Sequence, residues 1–300
     1  MNLRILVLSS FLGMGSLFCE DDPKSVLVFP GANSRETYFT LHHIREAQAI
    51  STGKGCKVGI LDHSFGMALH PDLYAGGRNF VIDSDEFLTK REWHGFWMAT
   101  VLREIAPGVE IYALNTVSFK APESEAETIA KAIDWAIQQR LNVLTFSQAA
   151  IEGVEPRKIL NAALERARKA GIVTTFIHTE YAGNIMPTGL WASFGGDDGR
   201  APDINILHYD YTVVPINEYR KLRAGEKTWW NPPFQSVSST SPVLGGVVAM
   251  MKSLRPDLTP DQCKQILRET AHPMDFEGEH PLRVLDALAA VKRVKELQPH

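Results

Sequence analysis

From Lys57 onward the hydrophobic pattern of the chain keeps switching between two periods, and this alternation limits the folds open to it. Lys57-Val58-Gly59-Ile60-Leu61 is a short apolar run ending at Asp62, suited to a buried strand. Gly95 to Ile105 places Met98, Val101, Leu102 and Ile105 on one side of a helix, and Pro107-Gly108 stops it. Val109 to Leu114 returns as a strand. Glu123 to Gln139 is the clearest amphipathic helix. Its Ile129, Ala132, Ile133, Ala136 and Ile137 share a face, and Glu123, Glu125 and Glu127 lie at the positive end of its dipole. Leu141 to Phe146 is the next strand, Pro156 to Ala170 a helix closed by Gly171, and Ile172 to Ile177 a strand rich in β-branched residues. Strands alternating with helices predict an α/β fold: a three-layer α/β/α sandwich around a mostly parallel central sheet.

The stretch from 183 to 235 is less regular. An apolar helix follows from about Ser238 to Leu254, and its Gly245-Gly246 pair predicts close packing. Thr259-Pro260-Asp261-Gln262 reads as a capping box with proline in the first turn, opening a helix to Ala271. A last helix is expected from about Val284 to Glu296. There is no internal repeat and no evident linker, so residues 51–292 are expected to form one domain, with 293–300 as a tail.

The first 50 residues read differently. Arg4 gives a short positive start, Ile5 to Cys19 carries no charge, and Glu20, Asp21 and Asp22 follow. That stretch is short for a membrane span and fits an export signal over residues 1–19, leaving 20–50 as an N-terminal extension. The expected location is therefore outside the cytoplasm: periplasmic, on the outer surface, or secreted. Cys19 stands where a lipidated cysteine would, and simple cleavage is the alternative, so the membrane enters only through that lipid. Cys56 and Cys263 could pair in an oxidising compartment or remain buried thiols. A formal net charge of −4 without a long basic run argues against nucleic acid as partner. His42-His43 reads as a solvated pair rather than a metal site, and the expected state is a monomer.

The chemistry is expected where these elements end. Asp62 closes a strand, on the edge of a parallel sheet where sites form. His94 opens one helix and Ser238 another, and a nucleophile at a helix N-terminus sits among N–H groups that stabilise developing negative charge. An imidazole that deprotonates a serine, itself oriented by a buried carboxylate, is the arrangement of acyl transfer, and the order Asp, His, Ser is one that delivers it.

Several motifs in one order resemble the subtilisin-like serine proteases. They are Val58-Gly59-Ile60-Leu61-Asp62, His70-Pro71-Asp72-Leu73, Gly77-Arg78-Asn79-Phe80-Val81, His94-Gly95, Ala106-Pro107 through Leu114, and Ala132-Ile133-Asp134-Trp135-Ala136 through Ser147. Pro242-Val243-Leu244-Gly245-Gly246 and Pro256-Asp257-Leu258-Thr259-Pro260 complete the series, and the first of these places the serine at Ser238. The resemblance, over about residues 51–290, implies a subtilisin-like fold and an endopeptidase with the triad Asp62, His94 and Ser238. A peptide or protein substrate would lie along Ser147, Gln148 and Ala149. No cofactor is implied; a surface calcium ion is sometimes held in this family, and Asp83, Asp85 and Glu86 would be its place here, although a solvated acidic turn is the plainer reading.

Two departures bear on activity. The family supplies an asparagine to the oxyanion hole after the strand at 172–177, where this chain has Glu180. The oxyanion candidates are thus a protonated Glu180 or Asn184, with His178 a further substitute; an ionised carboxylate would repel the oxyanion. The glycine and threonine that precede the family's serine are replaced by Ser236-Val237. The alternative expectation is therefore a weak or inactive subtilisin-like fold kept as a binding module. Trp229, Trp230 and Phe234 could wall the substrate near Ser238 or pack within their loop, and His63, where the family has a small residue, has no assigned role.

Overall fold

A computed structural model describes residues 25–28, 39–81, 84–117, 125–147, 154–177, 189–194, 203–206, 212–215, 237–274 and 282–297. Within them the chain runs β1 (Ser25–Val28), α1 (Ile44–Gln48), β2 (Lys57–Asp62), β3 (Gly76–Asn79), α2 (Glu86–Thr89), α3 (His94–Ile105) and β4 (Glu110–Asn115). It continues through α4 (Glu125–Gln138), β5 (Val143–Phe146), α5 (Val154–Lys169), β6 (Val173–Phe176), β7 (Leu190–Phe194), β8 (Ile204–Ile206) and β9 (Thr212–Pro215). A 3₁₀ turn at Val237–Ser239 then leads into α6 (Thr240–Leu254), α7 (Pro260–Thr270), β10 (His272–Met274), β11 (Leu282–Val284) and α8 (Ala287–Glu296).

Among the described residues, nine strands form one sheet in the order β10-β11-β8-β7-β6-β5-β2-β4-β3, parallel except for the antiparallel pair of β10 and β11. The expected α/β class and mostly parallel sheet are both present. Because side chains alternate across a strand, each inner strand feeds two cores. Val58 and Ile60 of β2 face a core shared with α3, α6, α1 and α8, whereas Leu61 faces the other, shared with α4 and α5. These are the two outer layers of the sandwich.

Helix α6 is buried on all sides from Thr240 to Lys252, as a helix apolar around its circumference must be. Its two glycines explain how it fits. A Cβ on Gly245 would lie 2.4 Å from the Thr145 methyl in β5, and one on Gly246 would lie 2.6 Å from Ile105 in α3. The pair therefore lets one helix touch the sheet and a second helix at neighbouring positions.

The helix α7 starts as expected: Thr259 accepts from the Gln262 N–H and Gln262 reciprocates, with Pro260 at the start. The chain departs from expectation at its end. Val284 lies in a strand and pairs with Asn205, and the last helix begins at Ala287, where the Asp286 side chain accepts the Ala289 N–H. The expectation of a solvated His42 also fails. Its side chain is fully buried, its Nδ1 lies 2.9 Å from the Leu285 carbonyl, and its own carbonyl accepts the Ala287 N–H. Phe39, Ile44 and Ala47 join the core around it.

Candidate active site

The parallel register brings the C-terminal ends of β2, β4 and β5 to one edge of the sheet. Asp62 pairs with Asn115, and Leu61 with Phe146, so Ser147 stands level with Asp62 one strand away. Asp62 is fully buried there. Its Oδ1 accepts the His63 backbone N–H at 2.7 Å, and its Oδ2 lies 2.7 Å from His94 Nδ1. A buried carboxylate acceptor at that distance fixes the imidazole with its proton on Nδ1, which leaves Nε2 as the basic nitrogen.

His94 is the first residue of α3, and the helix is capped by backbone. Gly95 donates its N–H to the His63 carbonyl at 2.8 Å; Trp93 and Phe96 donate theirs to the Ser64 carbonyl at 2.8 and 3.3 Å. Two residues after Asp62 thus take up the unpaired N–H groups of the helix that carries His94. This demands an unusual turn: Ser64 has φ +59°, in the left-handed region, and its hydroxyl lies 2.8 Å from His63 Nδ1. It also demands glycine at 95, since a Cβ there would stand 2.5 Å from the His63 carbonyl oxygen and 2.8 Å from the Phe65 ring.

Three influences set the charge of His94. Burial, the largest, would lower its pKa, but the charge of Asp62 and the bond to it outweigh burial and raise it above the ordinary 6.5. The His63 ring stacks nearly parallel to His94, centroids 5.9 Å apart. Its pKa moves the other way, lowered chiefly by burial and further by the His94 charge, against the pull of Asp62. The two imidazoles are therefore set apart, His94 the more basic.

Ser238 is in the 3₁₀ turn immediately before α6 rather than within the helix, and it is 7% exposed. The turn packs against α3, and Ser147 Oγ donates to the Ser238 carbonyl at 2.9 Å. Ser241, three residues on, is locked into the sheet. Its hydroxyl donates to the Thr175 carbonyl at 2.9 Å and accepts the Phe146 N–H at 3.1 Å, while Thr175 donates to its carbonyl. Ser239 is fully buried as the N-cap of α6.

Of the other expected site residues, Ser147 anchors the Ser238 backbone, while Gln148, Ala149, His178, Glu180, Asn184, Trp229, Trp230, Phe234 and Ser236 lie outside the described residues, as does Cys19. So does Asp83; Asp85 accepts from Asn79 at 2.8 Å, and Glu86 pairs with Arg91 at 3.0 Å. Cys56 and Cys263 are free, buried thiols whose pKa values burial pushes up to about 12 and about 11. What sequence reasoning missed is the His63-Ser64 turn. A left-handed serine has no reliable signal in one sequence, though a bulky residue directly after Asp62 was visible.

Comparison with known proteins bears on the fold. No protein-family model matches the chain. It is 29% identical over 237 residues to the thermostable alkaline protease of Halalkalibacterium halodurans, covering 73% of this chain and 63% of that protein. It is 22% identical over 270 residues to alkaline elastase YaB of a Bacillus species, covering 80% and 66%. The chain thus spans slightly under two thirds of the length of these curated relatives. Among solved structures, MycP1 from Mycobacterium smegmatis superposes with a TM-score of 0.61 at 17% identity, over 91% of this chain and 86% of that one. MycP1 with its N-terminal propeptide removed gives 0.61 at 18% identity, over 85% and 96%. In sequence and fold together this chain resembles the subtilisin-like serine proteases.

Proposed function

We propose that the protein is a serine endopeptidase in which Asp62, His94 and Ser238 act as a triad. The observation that carries the reading is the bond from His94 Nδ1 to the buried Asp62 at 2.7 Å, at the start of the helix α3 against which the Ser238 turn packs. His94 Nε2 takes the Ser238 proton as Oγ attacks the peptide carbonyl. The resulting imidazolium is held by Asp62 and then protonates the leaving amine. Water, activated by the same nitrogen, hydrolyses the acyl-enzyme. Ser147 supports the chemistry indirectly by fixing the Ser238 carbonyl, and Ser147 to Ala149 would run beside the substrate. Glu180 and Asn184 are the candidates for the second oxyanion donor; losing such a donor slows acyl transfer roughly 10²–10³-fold without removing the triad's share.

The relatives are named as proteases, which supports a polypeptide substrate here. The uncharged run from Ile5 to Cys19 behind Arg4 supports export, with Cys19 as the site for a lipid. Activity is proposed for a monomer without cofactor. The test is hydrolysis of denatured protein and of quenched peptides by the wild type and by Ser238→Ala and His94→Ala. Cleavage abolished in both variants is expected; cleavage surviving Ser238→Ala would remove Ser238 from the role. A folded wild type that cleaves nothing would leave the inactive binding module as the reading, which the Glu180 position favours.

A further inference from the structure

We infer that the cleft walled by Trp93 is a subsite that seats a large apolar, preferably aromatic, side chain of the polypeptide substrate close to the scissile bond. The inference rests on the proteolytic reading above. The cleft has a volume of about 470 Å³ and is lined by Ser64, Phe87, Arg91, Glu92 and Trp93. Trp93 is 53% exposed although it directly precedes the buried start of α3. The Trp93 backbone N–H is held by the Ser64 carbonyl, which fixes where this exposed side chain leaves the main chain.

The chemistry of the walls selects the occupant. Each polar side chain on them already has a partner: Arg91 pairs with Glu86 at 3.0 Å and lies over the Phe87 ring, Glu92 pairs with His70, and Ser64 Oγ meets His63 Nδ1. A charged side chain entering the cleft would find the charges on its walls already paired. An apolar one would meet the exposed Trp93 side chain, with Phe87 beside it. The cleft is also coupled to the chemistry through a short stack. Trp93 touches His63 edge-on at 5.5 Å between centroids, and His63 lies flat on His94 at 5.9 Å. A side chain seated on Trp93 is thereby linked to the proposed base through two rings, Trp93 and His63.

The experiment uses the full chain as wild type, Trp93→Ala and Trp93→Phe. Quenched peptides carry Phe, Leu, Ala or Lys in turn at each of two positions on either side of the cleaved bond. At one position the wild type should prefer Phe or Leu over Ala by roughly 10- to 200-fold in kcat/KM, the range an apolar pocket supplies. Trp93→Ala should lose most of that preference, through a fall in kcat/KM on the Phe and Leu peptides that exceeds any fall on the Ala peptide; Trp93→Phe should keep it. A preference unchanged in Trp93→Ala would overturn the subsite, as would equal losses on all peptides. A wild type that reacts with no fluorophosphonate and cleaves nothing would sink the proteolytic reading instead. The cleft would then be tested by saturable binding of N-acetyl-phenylalanine amide over N-acetyl-alanine amide, which must vanish in Trp93→Ala for the site to stand.

Discussion

The carbonyl oxygen of His63 accepts the backbone N–H of Gly95 at 2.8 Å, tying the residue after Asp62 to the residue after His94. With the Asp62–His94 bond it closes a small ring of contacts, so the carboxylate and the imidazole are placed by backbone as well as by side chains. Gly95→Ala would drive a Cβ to 2.5 Å from that oxygen. The expected result is a loss of about 1–3 kcal/mol in stability and a drop of roughly tenfold or more in activity measured below the melting transition. An alanine variant of normal stability and activity would show that the ring does not set the geometry.

Asp62→Asn keeps the shape of the carboxylate but accepts poorly from His94 and allows the wrong tautomer. In the general serine-protease case this change lowers kcat about 10⁴-fold, and a similar fall is expected here in hydrolysis or fluorophosphonate reaction. A loss of only a few-fold would separate Asp62 from the mechanism.

The pH dependence follows from the raised pKa of His94. The proposed mechanism requires the neutral imidazole, so the acid limb of kcat/KM should lie above 6.5 and move down when Asp62 is replaced by Asn. Stability runs in the opposite sense. The folded state holds the His94 proton to higher pH than the unfolded chain does, so the contribution of the pair is complete below the ordinary imidazole pKa and disappears as pH rises through the folded value. A limb below 6.5 in the wild type would contradict this assignment.

The serines at 238 and 241 should separate cleanly. Ser241→Ala breaks buried bonds to Thr175 and Phe146 and should cost about 1–3 kcal/mol, seen as a lower melting temperature, with reactivity retained in the cold. Ser238→Ala should do the reverse, abolishing reactivity with little change in stability. Loss of reactivity in Ser241→Ala with unaltered melting would exchange their roles.

Much of this arrangement was legible before any coordinates, because it rests on local patterns. The strand ending at Asp62, the helix opening at His94 and the capping box at Thr259 are each written in a few adjacent residues, and the Gly245-Gly246 pair announced its close packing. What stayed hidden depends on long-range partners. His42 looks solvated in sequence because its acceptor, the Leu285 carbonyl, is 243 residues away. Val284 looks helical because Asn205, its partner across β8 and β11, lies far outside any local window. The role of His63 emerges only once its ring is seen lying on His94 and its carbonyl capping α3.

The most direct measurement of the central claim is covalent labelling by a fluorophosphonate of the purified chain from residue 20, beside Ser238→Ala and His94→Ala. Labelling of the wild type that vanishes in both variants is the predicted result and establishes a serine activated by His94. Labelling that persists in Ser238→Ala, or a folded wild type that does not label at all, would contradict it.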